Sequence, residues 1–79
     1  MNKRIRNINE NFLKDFGNNL RAERNRRGLS QEGLGELANI DGRYISKIEN
    51  GDVNPTLTTI IALLKALDLP FEVLCDYKK

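Results

Sequence analysis

Apolar residues begin to recur at helical spacing at Phe12. Phe12, Leu13, Phe16 and Leu20 share one stripe, with Lys14, Asp15, Asn18 and Arg21 between them. The pattern predicts a first helix over about residues 11–27, ended by the basic turn Arg24, Arg26 and Arg27 and by Gly28. Ser30 then caps a second helix, Ser30–Ala38, with Gln31 and Glu32 in its first turn and Leu34, Leu37 and Ala38 as apolar positions. Gly33 and Gly35 inside it each cost about 1 kcal/mol relative to alanine, so tertiary packing must hold this helix. Asn39 tolerates a left-handed backbone, and Asp41 can cap a third helix, Gly42–Glu49, whose inner face is Ile45 and Ile48 and whose end is Asn50-Gly51. Thr56 caps a fourth helix in which Leu57, Ile60, Ile61, Leu63, Leu64 and Leu67 predict a broad apolar face at the centre of the core. Pro70 opens a short fifth helix carrying Phe71, Val73, Leu74 and Tyr77. No alternating strand pattern and no repeat is present, so the predicted class is all-α.

Length sharpens this picture. Seventy-nine residues suffice for one small domain, and a chain of that size buries only about 60–65% of its unfolded surface, which leaves a thin core. Leu69, Phe71, Val73, Leu74 and Tyr77 are then more apolar surface than a monomer easily covers, and they are candidates for a subunit interface. Residues 1–11 are polar and Asn-rich, with Lys3, Arg4 and Arg6. They read as a flexible basic arm or a frayed helix start, preceding a domain over residues 12–79. Entry of that arm into a minor groove and a plain solubilising role both fit its composition.

The sequence has no histidine, and its only sulfurs are Met1 and Cys75. That excludes zinc-finger ligation, Cys/His nucleophiles and a disulfide framework, and leaves Cys75 as a small buried or interfacial apolar residue. No convergent carboxylate pair or phosphate loop is apparent, so the expectation is no enzyme, no catalytic residue, no cofactor, no metal and no small-molecule ligand. No apolar stretch approaches a membrane span, and the start lacks a signal-peptide core; a soluble, cytoplasmic protein without a membrane partner is expected.

Net charge is only +2, but residues 1–27 hold eight basic side chains against three acidic ones, and the remainder is acidic. The tight pairing of the second and third helices suits a unit that braces one helix across a phosphate backbone and lays the next in a major groove. With Ile45 and Ile48 turned inward, Gly42, Arg43, Ser46, Lys47 and Asn50 face outward and Tyr44 lies on the border. Arginine and lysine donate to guanine O6 and N7. On the residues alone, a solvated polar helix face explains this pattern equally well.

Leu29-Ser30-Gln31-Glu32, Leu34, Ala38-Asn39-Ile40-Asp41, Tyr44-Ile45-Ser46-Lys47-Ile48-Glu49-Asn50-Gly51 and Asn54-Pro55-Thr56-Leu57 resemble the phage-repressor (Xre/Cro-type) helix-turn-helix family, over about Phe16 to Leu74. The resemblance implies a compact five-helix, lambda-repressor-like DNA-binding domain with its helix-turn-helix at residues 30–50. Such a domain acts as a homodimeric transcriptional regulator, a repressor first of all, on a pseudo-palindromic double-stranded DNA operator. Half-sites about 34–36 Å apart follow from that geometry. By position, the resemblance assigns base contacts to Gly42, Arg43, Tyr44 and Lys47, with reading expected mainly from Arg43 and Lys47. It assigns phosphate contacts to Gln31, Ser46 and Asn50, and pairs Arg24 with Glu49 as an ion pair near a phosphate. Arg21, Arg26 and Arg27 are phosphate candidates if their end of the first helix faces DNA. Gly33, Gly35 and Asn39 depart from the family's usual helix former, Ala and Gly. A controller protein of a restriction-modification system and a toxin-binding antitoxin are the alternatives that this size and motif leave open.

Overall fold

The computed structural model describes residues 3–75, with side chains described from Glu10 onward. Among them are five helices and no strand: α1 (Lys3–Arg26), α2 (Gln31–Ala38), α3 (Gly42–Glu49), α4 (Leu57–Leu67) and α5 (Phe71–Leu74). Local chemistry explains most boundaries. Ser30 Oγ accepts the Gly33 N–H, Asp41 accepts the Arg43 N–H and Thr56 accepts the Thr59 N–H, so three successive helices start on side-chain caps. At their ends, Asn39 (φ 58°) and Asp68 (φ 53°) take left-handed conformations that stop α2 and α4, and Gly28 and Gly51 do the same at the turns after α1 and α3.

Helix α1 starts at Lys3, well before the expected start near Asn11. Ile5 and Ile8 continue the stripe of Phe12 at helical spacing, but the polar, Asn-rich residues around them mask that short signal. Residues 3–11 are helical in backbone and continuous with the rest of α1. Tyr77 lies outside the described residues.

The core is built from Phe16 and Leu20 of α1, Leu34 of α2, Ile45 and Ile48 of α3, Leu63, Leu64 and Leu67 of α4, and Leu74 with Cys75 at the end of α5. Two corrections follow. Leu57 and Ile61, expected on the buried face of α4, are 65% and 39% exposed, and Leu37 of α2 is 60% exposed. Leu74, expected at a subunit interface, is buried inside its own subunit. Helix periodicity identifies an apolar face but not what covers it, and here α5 folds back against α1. Cys75 is a buried free thiol, and burial pushes its pKa up, away from the reactive thiolate.

Two glycines set the helix crossings that present α3. A Cβ on Gly17 would run into the backbone carbonyls of Ile48 and Glu49, and one on Gly35 would run into the carbonyl of Ile40. Helix α1 thus lies directly under the end of α3, and α2 lies directly against the turn that precedes it. No described helix is long and apolar enough to cross a membrane.

Candidate nucleic-acid interface

An eight-residue helix is too short to be stable alone, so α3 must be held by its surroundings. At its start the Asp41 carboxylate accepts the Arg43 N–H at 2.8 Å. Gly42 presses on α2: a Cβ there would sit 3.2 Å from the Glu32 Cα. That close backbone approach favours glycine at this position. Along its length Ile45 and Ile48 are buried, which turns Arg43, Ser46, Lys47 and Asn50 away from the core.

At the far end Glu49 is 1% exposed, and it gathers side chains from two other helices. Arg24 donates from Nε to Oε2 at 2.6 Å and from Nη2 to Oε1 at 3.0 Å, Arg21 Nε reaches Oε1 at 3.3 Å, and Gln31 Nε2 donates to Oε1 at 3.2 Å. Arg24 Nη1 also donates to the Leu29 carbonyl at 2.8 Å, tying the cluster to the loop before α2. Burial alone would raise the Glu49 carboxyl; hydrogen bonds from Arg24 and Gln31, the Arg24 charge and a hydrogen bond from Arg21 together hold it below the usual carboxylate range. The Arg24 guanidinium is correspondingly pushed up by its bond to Glu49.

The structure therefore brings Arg24 and Glu49 together. Arg24, a phosphate candidate, has a side chain only 11% exposed, and its Nε, Nη1 and Nη2 each donate within the subunit. Arg21 is the member of this cluster that the sequence did not reveal: its Nη2 donates to Asn50 Oδ1 at 2.8 Å, so Asn50, a phosphate candidate, is tied to α1. No local spacing signals a contact across 28 or 29 positions. Arg27 donates to the Glu23 carbonyl at 3.0 Å and to Glu23 Oε1 at 2.9 Å, and Arg26 also bonds Glu23, whose carboxyl these bonds lower. Both arginines thus bond back to the last turn of α1, Arg26 from within it and Arg27 from just beyond its end.

On the outer face, Gln31 of α2 lines one open groove with Arg43, Ser46 and Lys47 of α3. Arg43, Tyr44 and Lys47 line a second concavity on the same helix. Gln31 spends one N–H on Glu49 and keeps a second for an external acceptor. Arg43 stands out, its side chain 92% exposed, in a bidentate pair with Asp41. The result is a polar outer strip from Gln31 through Arg43 to Lys47, in which the two cations stand beside the carboxylates of Glu32 and Asp41.

Comparisons with known proteins agree with this arrangement. Residues 20–74 match the helix-turn-helix family HTH_3. The chain is 44% identical over 50 residues to control protein C.SmaI of Serratia marcescens, a match covering 63% of this chain and 60% of that protein. The crystal structure of the restriction-modification controller protein C.AhdI from Aeromonas hydrophila superposes with a TM-score of 0.76 at 40% identity, over 78% of this chain and 94% of the other. A transcriptional regulator of the HTH_3 family from Vibrio cholerae superposes with a TM-score of 0.81 at 24% identity, over 89% of this chain and 39% of the other, a likeness of fold.

Proposed function

The chain belongs to the HTH_3 helix-turn-helix family, and from that premise we propose that it is a dimeric transcriptional regulator that reads a two-fold symmetric DNA operator by placing α3 in the major groove. The observation that carries this reading is the fixing of α3 at both ends and along its inner face, with Arg43 and Lys47 left on the outside. A rigid, outward cationic helix suits base-edge recognition.

In this reading Arg43 and Lys47 face guanine edges, Tyr44 and Ser46 contact neighbouring bases or phosphates, and Gln31 braces a phosphate with its remaining N–H. Gly42 serves the crossing of α2 and α3 and brings the backbone near the groove without a side chain. The Glu49 cluster carries two arginines against one carboxylate, so it adds a residual positive charge beside Gln31. Dimerisation uses the exposed apolar residues Phe71 and Val73 of α5 with half-buried Leu69, joined by Leu57 and Ile61 of α4. A second copy would remove that surface from water.

Within regulators, the identities to two controller proteins favour a controller of a restriction-modification system over a phage-type repressor. The assignment of a cytoplasmic site of action follows from that role. Selection of bound duplexes from a random pool tests the central claim. A two-fold symmetric consensus with half-sites about one helical turn apart is the expected result; failure of any sequence to enrich defeats it.

A further inference from the structure

The arginine assigned to base reading is already bonded. Arg43 Nε lies 3.3 Å from Asp41 Oδ1 and its Nη2 lies 3.0 Å from Oδ2, while the same Oδ1 accepts the Arg43 backbone N–H at 2.8 Å. The pair stands in solvent, with side chains 92% and 55% exposed, so packing does not demand it. Capping alone needs a single oxygen. A guanidinium is a rigid fork of five N–H donors. Holding it by Nε and one Nη2 hydrogen uses the near edge and leaves the far edge, formed by Nη1 and Nη2, free. Two parallel donors of that kind match O6 and N7 of guanine.

We infer that Asp41 is a positioning residue for base recognition: it holds Arg43 by one edge, presents the other edge to a guanine, and uses its negative charge to keep phosphates from capturing the arginine. This rests on the reading of α3 as the recognition helix. A free exposed arginine samples many rotamers, and most protein contacts on a duplex go to phosphate and sugar, which carry no direct sequence information. Restraining the side chain before binding lowers the ordering cost of the specific contact. A carboxylate beside the guanidinium also disfavours any pose in which the arginine lies against a phosphate, because the two anions repel. Asp41 thereby lowers affinity for arbitrary DNA and widens the gap to the true site.

The test compares wild type, Asp41→Asn, Arg43→Ala and the double variant on two probes: the duplex that the wild-type chain enriches from a random pool, and a shuffled duplex of the same length and composition. Asparagine caps a helix about as well as aspartate, so α3 keeps its start, which thermal melting checks. Asp41→Asn is expected to bind the shuffled duplex more tightly, with a salt dependence steeper by about one phosphate contact, a slope change of about 0.9. Its preference for the selected duplex should fall about five- to tenfold, the lower end of what one bidentate guanine contact discriminates. Replacing the guanine that Arg43→Ala ceases to prefer by 7-deazaguanine, which lacks N7, should penalise wild type more than Asp41→Asn. In the Arg43→Ala background, Asp41→Asn should leave the preference unchanged. An unchanged preference in Asp41→Asn, beside a reduced one in Arg43→Ala, overturns the positioning role and leaves α3 as the reader. A similar loss for Asp41→Asn with and without Arg43 also overturns it, because Asp41 then acts by another route. Unchanged base preference in Arg43→Ala, or a pool with no enriched duplex, removes the reading beneath it.

Discussion

Truncating Glu49 to alanine should be among the most damaging single changes in this chain. The carboxylate accepts two bonds from Arg24, one from Arg21 and one from Gln31. Removing one partner of a buried ion pair costs about 3–5 kcal/mol, largely because the other charge is left without compensation. Two features place this case at the lower end, about 3 kcal/mol. Arg24 keeps its bond to the Leu29 carbonyl and some contact with solvent, and Arg21, with 41% of its side chain exposed, can return to water. Since 79 residues imply a total stability of about 4–12 kcal/mol, the loss removes a quarter or more of it. In a domain of this size each kcal/mol moves the melting temperature by about 4–8 °C, so Glu49→Ala should melt about 12–24 °C lower at neutral pH.

The pH dependence gives this prediction its sign. The folded state holds the Glu49 carboxyl below its ordinary value of 4.5. The carboxylate therefore contributes its full stabilisation above that value and loses it as the pH falls through the lower folded-state pKa. Melting curves followed by circular dichroism at pH 7 and near pH 3 should show a wide gap between wild type and Glu49→Ala at the first and a narrow one at the second. Glu49→Gln, which keeps the shape but not the charge, should fall between them at pH 7. A gap under about 4 °C at pH 7, or one that is equally wide at both pH values, refutes the account of Glu49 as the electrostatic anchor of α3.

Other perturbations separate the parts of the site. Gly17→Ala gains about 1 kcal/mol of helix propensity but forces α1 away from the Ile48 and Glu49 carbonyls; melting should show a net loss of about 1–2 kcal/mol, and a stabilised variant would contradict the close crossing. Gly33→Ala should instead raise stability by about 0.5 kcal/mol, because the nearest atom to its Cβ, Ser30 Oγ at 3.2 Å, is a side-chain atom that needs to yield only slightly; a lower melting temperature would show that the Ser30 cap cannot shift. Phe71→Glu, at a residue 43% exposed, should leave the subunit folded yet monomeric by light scattering and should weaken binding to a two-fold symmetric duplex; retention of the dimer removes α5 from the interface. Arg43→Ala should relax base preference at one position at a cost of about 1–3 kcal/mol, whereas Gln31→Ala should weaken all sequences alike, and selection from a random pool distinguishes the two.

The helix-turn-helix was legible because its signals are local. Ser30, Asp41 and Thr56 cap from side chains two or three residues away from the N–H they accept, and Asn39 ends α2 through its own backbone preference. What escaped reading depends on distance. Arg21 reaches Glu49 and Asn50 across positions that no periodicity relates, because a long flexible side chain can join the end of one helix to another wherever the fold places it. Gly17 carried a faint signal, since a glycine inside a helix costs stability and so invites a packing reason, but its partner is a backbone that sequence does not locate. The Asp41–Arg43 pair was hidden differently: residues two apart on a helix do not face each other, yet Asp41 stands just outside α3, where the chain has turned enough for the two to meet.

The same distance argument bears on how recognition is built. Eight residues cannot hold a helix against fraying, so the geometry of the reader belongs to what surrounds it. Gly35 and Gly42 fix where α3 begins relative to α2, and Gly17 and the Glu49 cluster fix where it ends relative to α1. Gln31 joins these two restraints, because the residue that opens α2 bonds the residue that closes α3. A phosphate seated at Gln31 would therefore bear on both ends of the reader through one side chain. If α3 is the reader, affinity for any site scales with the fraction of molecules in which it is held in the competent arrangement, so buried positions such as Glu49 would govern binding along with Arg43. In the proposed reading, discrimination between sequences would rest instead on the exposed edge of Arg43, while Asp41 and Gln31 would serve both to hold the helix and to meet DNA.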